Sequence, residues 1–449
     1  MHRVLQSFHN YFNHQLSKTT KFDGRLLLLA ILIAYFMPIA LATNFFSSYP
    51  DSWIKNFNFL GIKFNLIYPL VGKLLPPFAD LRVITAGAEC IRLGYDVLVS
   101  NPCDPWKRPM NYPRIWSVPA SWGLDQSHTV ILGILFGLLF FSLVFITIKR
   151  LNYIEALFYA LILCSPSAML AIERGNNDLI IFILLSLSLL IMKNKTAIWR
   201  YFSYIIIMFA AILKLYPIFA LITALKEKKR IFTVIFLSIF IVFGIYVVTN
   251  YESIILVSKA TPRGTILSYG GKVIFDVIFD ELDRYFYSFN NYHIPQYFNK
   301  IKLLLFSLTI ALFLLISYLL AKHTQNLFQN NKLNLNQIEA FRVGSSIYIG
   351  TFLIGNNWDY RLIFLLFTIP QILAWLKTQV QFESISGLAL MVIILTTWLS
   401  SKSDQVYYLD ELLNWLLFLF LVYSTILTLP NWLKNYIYFQ PRGFDANNQ

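Results

Sequence analysis

Long apolar runs recur along almost the whole chain, and short segments rich in Lys and Arg separate many of them. A membrane-spanning helix needs roughly 20 apolar residues. Only 13% of the 449 residues are charged, whereas a soluble domain carries about a quarter. The sequence therefore predicts an all-α polytopic membrane protein, a bundle of about 10–12 transmembrane or half-membrane helices with two large outer loops.

The net charge is +14, from 37 basic and 23 acidic residues. Most basic residues lie between apolar runs, where membrane topology and lipid headgroups explain them better than nucleic acid does, so no nucleic-acid partner is predicted. The three cysteines form no CxxC motif and there are only six histidines. This composition argues against a zinc site, and no metal is predicted.

The first apolar run follows a tail that carries Arg3, Lys18, Lys21 and Arg25, which favours a cytoplasmic N-terminus. A cleaved signal peptide ending near residue 42 is the competing interpretation. We predict a cytoplasmic tail (1–25), a first transmembrane helix (26–46), an outer loop (47–127), transmembrane helices (128–249), a second outer loop (250–300), further transmembrane helices (301–429) and a cytoplasmic tail (430–449). The predicted later spans are 129–148, 154–172, 179–192, 231–248, 301–320, 345–356, 362–376, 385–399 and 412–429.

Two apolar stretches do not read as simple spans. Residues 57–75 are interrupted by Lys63, Pro69 and Lys73, which suits an interfacial segment. Residues 201–225 are interrupted by Lys214-Leu215-Tyr216-Pro217 and have basic clusters at both ends. Because Pro disfavours helix at the preceding residue, we predict a broken hairpin whose tip carries Lys214 to the outer side.

The first outer loop contains a predicted helix of roughly four turns that begins at Asp80, after two prolines, and ends near Gly94. Asp80 either caps this helix or acts as a general base. The proline-rich segment 101–116 interleaves aromatic and basic residues and suits a surface for sugar or phosphate, or an interfacial aromatic belt. Cys90 and Cys103 can pair if the compartment is oxidising.

Two polar turns join later spans, at residues 173–178 and 355–361. Asp178 is a candidate N-cap in the first of them. Charges near hydrocarbon need partners, so Arg174, Lys214 and Arg361 either pair with Asp178 or Asp359, or converge on an anion such as a lipid phosphate. The acidic residues around 276–283 read as a solvated helix face.

The order of these motifs resembles that of the GT-C superfamily of integral-membrane glycosyltransferases, and within it glycosyltransferase family 87, whose donor is a polyprenyl-phosphate mannose. The motifs are Asp80, Gly94-Tyr95-Asp96, Asn111-Tyr112-Pro113, Arg174-Gly175-Asn176-Asn177-Asp178 and Leu213-Lys214-Leu215-Tyr216-Pro217. By position, Asp80 matches the family's catalytic aspartate in the first loop, Lys214 the lysine of its Lys-x-x-Pro-like element, and Gly175-Asn176 its Gly-Asn/Gln-Asn turn. Two features depart from the pattern: Asp80 lies far from the first span, so Asp51 is a rival, and Tyr-Pro-Arg replaces Tyr-Pro-Pro.

The resemblance implies a hexosyltransferase that moves a sugar, mannose or another hexose, from a polyprenyl-phosphate donor to a hydroxyl of a lipid-linked or cell-envelope glycan. It implies a multi-pass protein of the bacterial inner membrane, with its active site on the outer, periplasmic face. The partners are then the lipid bilayer, the lipid donor and a glycan or glycolipid acceptor. The lipid-phosphate sugar is itself a substrate, so no cofactor is predicted.

We predict an inverting single displacement with Asp80 as general base. Arg174, Lys214 and Arg361 are the candidate contacts of the donor phosphate. The candidate substrate-binding residues are Arg82, Tyr112, Arg114, Asn176, Asp178, Trp358 and Asp359. A lipid-linked-sugar flippase or transporter, a glycan polymerase or ligase that uses an undecaprenyl-diphosphate donor, and a scaffold without catalysis are the alternatives.

Overall fold

The computed structural model describes most of the chain from residue 23 to residue 437. The described residues are 23–45, 57–59, 62–64, 77–148, 150–264, 267–290, 295, 297–329, 335–378, 380–399 and 406–437. Asp51, nearly all of the predicted N-terminal tail and most of the segment 57–75 lie outside them.

The architecture is helical, which confirms the predicted all-α class. The α-helices are α1 (Gly24–Phe45), α2 (Ala79–Arg92), α3 (Thr129–Thr147), α4 (Tyr153–Leu163), α5 (Pro166–Glu173), α6 (Asp178–Met192), α7 (Ala197–Leu213), α8 (Lys229–Thr249), α9 (Tyr251–Ala260), α10 (Val273–Asn290), α11 (Tyr297–Gln329), α12 (Leu335–Ile354), α13 (Ile369–Thr378), α14 (Val380–Leu399), α15 (Tyr407–Leu427) and α16 (Asn431–Ile437). Segments of 3₁₀ helix cover Arg114–Trp122, Gln126–His128, Tyr216–Lys226 and Asp359–Phe367.

Two very short antiparallel strand pairs accompany the helices. In the first, β1 (Phe57–Phe59) pairs with β2 (Ile62–Phe64). In the second, β3 (Ser268–Tyr269) pairs with β4 (Asn357–Trp358), with Ser268 opposite Trp358 and Tyr269 opposite Asn357. The second pair joins the predicted loop 250–300 to the turn that precedes Arg361.

Four described helical segments are long and apolar enough to cross a membrane: Gln126–Thr147, Lys229–Thr249, Tyr297–Thr324 and Tyr407–Leu427. Two bent pairs raise the number to six if each counts as one span. These are α4 with α5, bent by 53°, and the 3₁₀ segment Asp359–Phe367 with α13, bent by 50°. Five shorter apolar helices complete the bundle: Gly24–Met37, Asp178–Met192, Ala197–Leu213, Tyr216–Lys226 and Ile385–Leu399.

The bends are a correction to the predicted spans 154–172 and 362–376, which were continuous. At the first bend, Ser165 accepts a hydrogen bond from the N–H of Ala168 and Pro166 occupies the first turn of α5. Proline is favoured at that position and has no N–H to continue the preceding helix, so α5 begins as a new helix.

Consecutive helices run between two ends of the bundle. At one end, which we call the Asp80 end, the N–H of Asp80 donates to the carbonyl of Arg174, and Lys214 contacts Asp178. At the other, which we call the Arg150 end, the N–H of Gly24 donates to Leu151 and Lys226 Nζ donates to the carbonyl of Met192. Helix α6 therefore runs from the Asp80 end to the Arg150 end, and α7 returns.

An apolar core with many aromatic rings lies between the two ends. Phe182 stacks on Phe367 with ring centroids 4.4 Å apart, and Phe364 lies 6.1 Å from Phe182 and 5.7 Å from Tyr216. We call Phe182, Phe364 and Phe367 the aromatic layer. It is in ring contact with Tyr216 of the Asp80 end through Phe364.

Candidate active site

Asp80 lies in the first turn of α2, where the start of the helix is held against the end of α5. The N–H of Phe78 donates to the carbonyl of Glu173, and the N–H groups of Asp80 and Leu81 donate to the carbonyl of Arg174. The N-cap position is Phe78, which makes no side-chain cap bond. The predicted N-cap role of Asp80 is therefore wrong, because its carboxylate turns toward side chains of other elements.

Three side chains surround the buried Asp80 carboxylate. Arg174 donates to both oxygens, Nη2 to Oδ1 at 2.8 Å and Nε to Oδ2 at 3.0 Å. Asn176 Nδ2 donates to Oδ2 at 2.5 Å, and Arg108 Nη1 lies 3.9 Å from Oδ1. Burial raises the pKa of Asp80, but Arg174, Asn176 and Arg108 outweigh burial and hold that pKa below its ordinary value. Asp80 is therefore ionised at neutral pH.

A second buried carboxylate, Asp178, lies at the start of α6. Its Oδ1 accepts from Lys214 Nζ at 2.5 Å and from the Tyr216 hydroxyl at 2.7 Å, and its Oδ2 accepts from Arg361 Nε at 3.3 Å. Asn177 occupies the N-cap of α6, so the predicted N-cap role of Asp178 is also wrong. Because two cations and a hydroxyl converge on it, Asp178 neutralises charge instead of capping the helix.

Asn176 connects the two carboxylates. Its Nδ2 donates to Asp80, and its Oδ1 accepts from Lys214 Nζ at 3.3 Å and from the N–H of Asp178 at 2.9 Å. The turn that presents Asn176 depends on Gly175, which has φ of 55°. A Cβ at Gly175 would lie 3.1 Å from Phe78 Cβ and 3.2 Å from Leu81 Cβ, so glycine also permits the close approach of α2.

Asp80, Arg174, Lys214 and Arg361 all line one cavity of about 260 Å³. The three cations face two carboxylates when Asp178 behind them is included, which leaves one positive charge. The lining also contains the apolar side chains of Ile254 and Val257 in α9 and of Ile354 in α12. The cavity thus combines cationic and apolar lining, as a ligand with a single negative charge and a hydrocarbon part requires.

Aromatic rings lie beside the cations. Lys214 Nζ lies 5.4 Å from the ring centroid of Tyr112 and 5.6 Å from that of Tyr360. Arg361 lies 4.6 Å from the ring of Tyr216, and Arg174 lies 5.9 Å from that of Trp358. Burial raises the pKa of the Tyr112 hydroxyl, so Tyr112 is present as a neutral hydrogen-bond donor.

The candidate substrate-binding residues divide into two groups. Tyr112 and Trp358 line the cavity, and Asn176 and Asp178 hold its charged groups. Arg82, Arg114 and Asp359 do not line it. Arg82 Nε donates to the carbonyl of Pro77, and Arg114 makes a half-exposed ion pair with Asp96 at 3.0 Å.

Sequence reasoning assigned no role to Arg108, Asn357 or Tyr360. Arg108 bonds Asp104 at 2.9 Å and the carbonyl of Ala79, beside Asp80. Asn357 accepts from Arg361, and Asn357 and Tyr360 line the cavity. Two sequence signals were available: the basic pair Lys107-Arg108 in the proline-rich segment, and the polar turn before Arg361. Neither signal shows which distant residues these side chains contact in the fold.

A disulfide holds the loop after α2. Cys90 and Cys103 are bonded, with their Cα atoms 5.7 Å apart, which is the pairing that the sequence left open. Gln126 Nε2 donates to the carbonyl of Cys103 at 3.0 Å, so the disulfide region also contacts the start of α3. The proline-rich segment is thereby fastened to the helix that carries Asp80.

No group of three or more His, Cys, Asp and Glu side chains is positioned to hold a metal ion among the residues that the structure describes. The charged groups of the cavity are instead arranged as two carboxylates and their cationic partners.

The polytopic helical fold can be compared with known protein families. Residues 118–263 match the model of glycosyltransferase family 87. The match confirms the resemblance drawn from the motifs and indicates a membrane glycosyltransferase. It includes Arg174, Asn176, Asp178 and Lys214, whereas Asp80 and Arg361 lie outside it. No curated protein and no solved structure matches the chain.

Proposed function

We propose that the protein transfers a hexose, mannose or a similar sugar, from a polyprenyl-phosphate donor to a hydroxyl of a lipid-linked or cell-envelope glycan. The reaction takes place in the bacterial inner membrane, with the site open to the outer, periplasmic side. The observation that carries the proposal is that Asp80 and three cations, far apart in the sequence, line one cavity that also has apolar lining.

The charge of the cavity suits this donor. A sugar linked to a polyprenyl phosphate is a phosphodiester with one negative charge, and the cavity has one positive charge in excess. Arg174, Lys214 and Arg361 supply N–H donors for the phosphate oxygens. The first isoprene units then lie against Ile254, Val257 and Ile354, and the rest of the chain extends into the bilayer.

The reaction is a single displacement. The acceptor oxygen attacks the anomeric carbon, the bond from that carbon to the phosphate oxygen breaks, and the electron pair of the broken bond stays on the phosphate. The acceptor proton passes to Asp80, where a positioned base contributes roughly 10²–10⁴-fold. The cations stabilise the charge that develops on the leaving phosphate, so no separate acid is needed. One displacement inverts the anomeric configuration.

Donor binding changes the electrostatic environment of Asp80 and therefore its pKa. Arg174 contacts Asp80 through two hydrogen bonds, which weaken Asp80 as a base. A phosphate that shares Arg174 brings negative charge near Asp80 and draws away its cation, and both effects raise the pKa of a carboxylate. The base therefore becomes stronger only when the donor is in place, which limits unproductive chemistry at an empty site.

Two features support an outward orientation of the site. Basic residues gather at the Arg150 end, at positions 150, 193, 195, 200, 226 and 228–230, as cytoplasmic segments do. The Cys90–Cys103 disulfide lies in the loop beside Asp80, and disulfides persist in oxidising compartments such as the periplasm.

The aromatic layer favours transfer over transport. A lipid-linked-sugar transporter needs polar groups along a path through the bilayer. Here Phe364 lies between Tyr216, which lines the cavity, and Phe182. Apolar rings therefore follow directly behind the Tyr216 side of the cavity.

The test uses purified protein, a labelled polyprenyl-phosphate sugar and a glycan acceptor, and measures labelled product and free polyprenyl phosphate. We expect Asp80→Asn to lower kcat by about 10²-fold or more because the base is lost. Asp125→Asn is the control, since Asp125 is an N-cap outside the cavity and Asn caps helices equally well. Wild-type turnover by Asp80→Asn would remove Asp80 from the role.

The same assay separates the alternatives. A flippase or a scaffold would release no polyprenyl phosphate, and a polymerase or ligase would use a diphosphate-linked sugar in place of the monophosphate. Either result would contradict the proposal.

A further inference from the structure

A second cavity, of about 360 Å³, lies at the Arg150 end and has no part in the proposed reaction. Its walls come from the end of α3, the first half of α4, α6, the end of the 3₁₀ segment Asp359–Phe367, α13 and the start of α12. Its rim at Lys193 follows the last residue of α6, whereas Asp178 at the Asp80 end is the first residue of that 15-residue helix. This length corresponds to about 22 Å at 1.5 Å per residue, so the rim lies toward the opposite face of a hydrocarbon core of roughly 30 Å, and the interior reaches inward to Phe182.

The rim of this cavity is cationic. Arg150, Lys193 and Lys377 line it together with one carboxylate, Glu155. Lys377 Nζ lies 2.6 Å from Glu155 Oε1, and Glu155 Oε2 accepts from the N–H of Asn152, so Glu155 is fully engaged. The lining thus contains three cationic side chains and one carboxylate, and all three cations are solvent-exposed.

The interior is apolar. Val144, Phe182, Leu189, Leu366, Phe367 and Leu373 line it. A small soluble anion would gain nothing from these walls. An amphiphile would place an anionic head at the rim and hydrocarbon against the walls, which removes apolar surface from water.

The positions of the cations partly follow from helix chemistry, because Lys193 follows the last residue of α6 and Lys377 lies in the last turn of α13. Cations at helix C-termini are stabilised by the helix dipole. That explanation accounts for charge at the rim and does not account for an apolar cavity that extends inward to Phe182.

We propose that this cavity binds an anionic glycerophospholipid of the bilayer leaflet at the Arg150 end, with the phosphate between Arg150 and Lys193 and part of an acyl chain against Leu189, Leu366 and Leu373. The proposal does not depend on the transferase reaction. It differs from attraction of lipid to a basic surface, because it requires both the two cations and the interior volume.

The test titrates the purified full chain, in detergent, with dioleoyl phosphatidylglycerol and with dioleoyl phosphatidylcholine, and counts bound lipid by native mass spectrometry. We expect one retained phosphatidylglycerol per chain. Arg150→Gln combined with Lys193→Gln should weaken its binding by about tenfold or more, since each cation near a membrane surface contributes to anionic-lipid binding. Lys195→Gln combined with Lys228→Gln is the matched control, because it removes the same charge from exposed positions that do not line the cavity.

A second variant tests the volume without changing charge. Ala340→Phe adds a ring from α12 to the lining of the cavity and should also lower phosphatidylglycerol binding. If the control and the rim variant lost phosphatidylglycerol binding equally, or if Ala340→Phe bound phosphatidylglycerol as the wild type does, the lipid would be attracted only by surface charge. Either result would overturn the proposal. Equal retention of phosphatidylcholine, or displacement of phosphatidylglycerol by millimolar inorganic phosphate, would overturn it as well.

Discussion

At the scale of single residues, the site is governed by how buried charges are balanced. Asp178 is completely buried and is compensated by Lys214 and Arg361 together. Removing one partner of a buried ion pair typically destabilises a protein by about 3–5 kcal/mol, because the remaining charge loses its compensation. A single substitution of either cation therefore changes both the stability of the fold and the binding of the donor, and its effect on activity cannot be assigned to one of them.

A paired substitution separates the two roles of Lys214. We expect Lys214→Met alone to lower the unfolding temperature, because Asp178 loses its nearest cation and keeps only Arg361. Lys214→Met with Asp178→Asn should recover part of that loss, because the cluster then has the same net charge as in the wild type and Arg361 keeps its hydrogen bond to Asn357. The double variant should still show a donor KM raised by about tenfold or more, since one charged hydrogen-bond donor to the phosphate is missing. Thermal unfolding and initial-rate kinetics measure the two effects.

The control for this pair is Lys302→Met with Asp276→Asn. These residues form a partly exposed ion pair of 2.9 Å between α10 and α11. Such pairs contribute little to stability, so both the unfolding temperature and the donor KM should stay near wild type. An unchanged donor KM in the Lys214 double variant would restrict Lys214 to a structural role.

The sequence predicted which charged residues require a counter-charge better than it predicted which residue supplies that charge. A cation near hydrocarbon requires a counter-charge, so the pairing of Lys214 with an aspartate followed from composition and position. Asp178 was one of the two partners offered for Arg361, and Arg361 pairs with it from 183 positions away. The expected pairing of Arg174 with Asp178 or Asp359 was wrong, because α2 brings the carboxylate of Asp80 against Arg174. Nothing local distinguishes Asp178 from Asp359, and only the packing of α6 against the 3₁₀ segment that contains Arg361 decides between them.

At the scale of elements, the position of Asp80 depends on how closely α2 approaches the turn between α5 and α6. Two backbone hydrogen bonds to the Arg174 carbonyl and the missing side chain of Gly175 permit this approach. Catalytic geometry is sensitive at this level, because a displacement of about 1 Å can lower a rate by about 10²-fold.

Gly175→Ala tests this dependence. The added Cβ would crowd Phe78 and Leu81 and push the first turn of α2 away from the turn, so we expect turnover per folded molecule to fall by about tenfold or more. Gly94→Ala is a matched control. Gly94 also has a positive φ, of 88°, but nothing lies within 4 Å of its Cβ position.

Both alanine variants carry the strain of a left-handed residue, about 1–2 kcal/mol. Gly175→Ala also crowds Phe78 and Leu81, so we expect it to lose at least as much stability as Gly94→Ala in a thermal unfolding assay, and only Gly175→Ala to lose activity per folded molecule. Equal activity in the two variants would mean that the contact between α2 and the turn does not set the position of Asp80.

Element boundaries were largely predictable because apolar runs and capping residues mark them. The predicted span 179–192 corresponds to α6, and the break at Lys214 falls where Pro217 favours it. The bend at Ser165-Pro166 had a recognisable cap signal that the hydropathy pattern concealed. The contact between β3 and β4 had no signal, because two-residue strands are defined only by the partner that they meet.

At the scale of the whole molecule, the two ends of the bundle differ in charge and in chemistry. The disulfide and the Asp80 cavity lie at one end, and the clusters of Lys and Arg lie at the other. The alternation of helix direction follows from the order of apolar runs, whereas the convergence of α2, α6, α7 and the segment before α13 on one cavity depends on tertiary packing.

Cysteine labelling in intact cells tests the proposed orientation. Trp122 at the Asp80 end is 71% exposed, and Trp199 at the Arg150 end is 48% exposed. We expect a membrane-impermeant maleimide to label Trp122→Cys in intact cells and Trp199→Cys only after permeabilisation. The background is low because Cys90 and Cys103 are bonded and Cys164 is buried. The reverse pattern would place the site on the cytoplasmic face.

The aromatic layer has an electrical consequence. Tyr216 lines the Asp80 cavity, Phe182 and Phe367 line the second cavity, and Phe364 is in ring contact with all three. A charge that passed between these rings would lose its hydration without gaining a partner, and a charge at the middle of a membrane costs about 2.5–3.5 kcal/mol. The rings therefore act as an electrical barrier between two cavities that would otherwise bring water deep into an energised membrane from both faces.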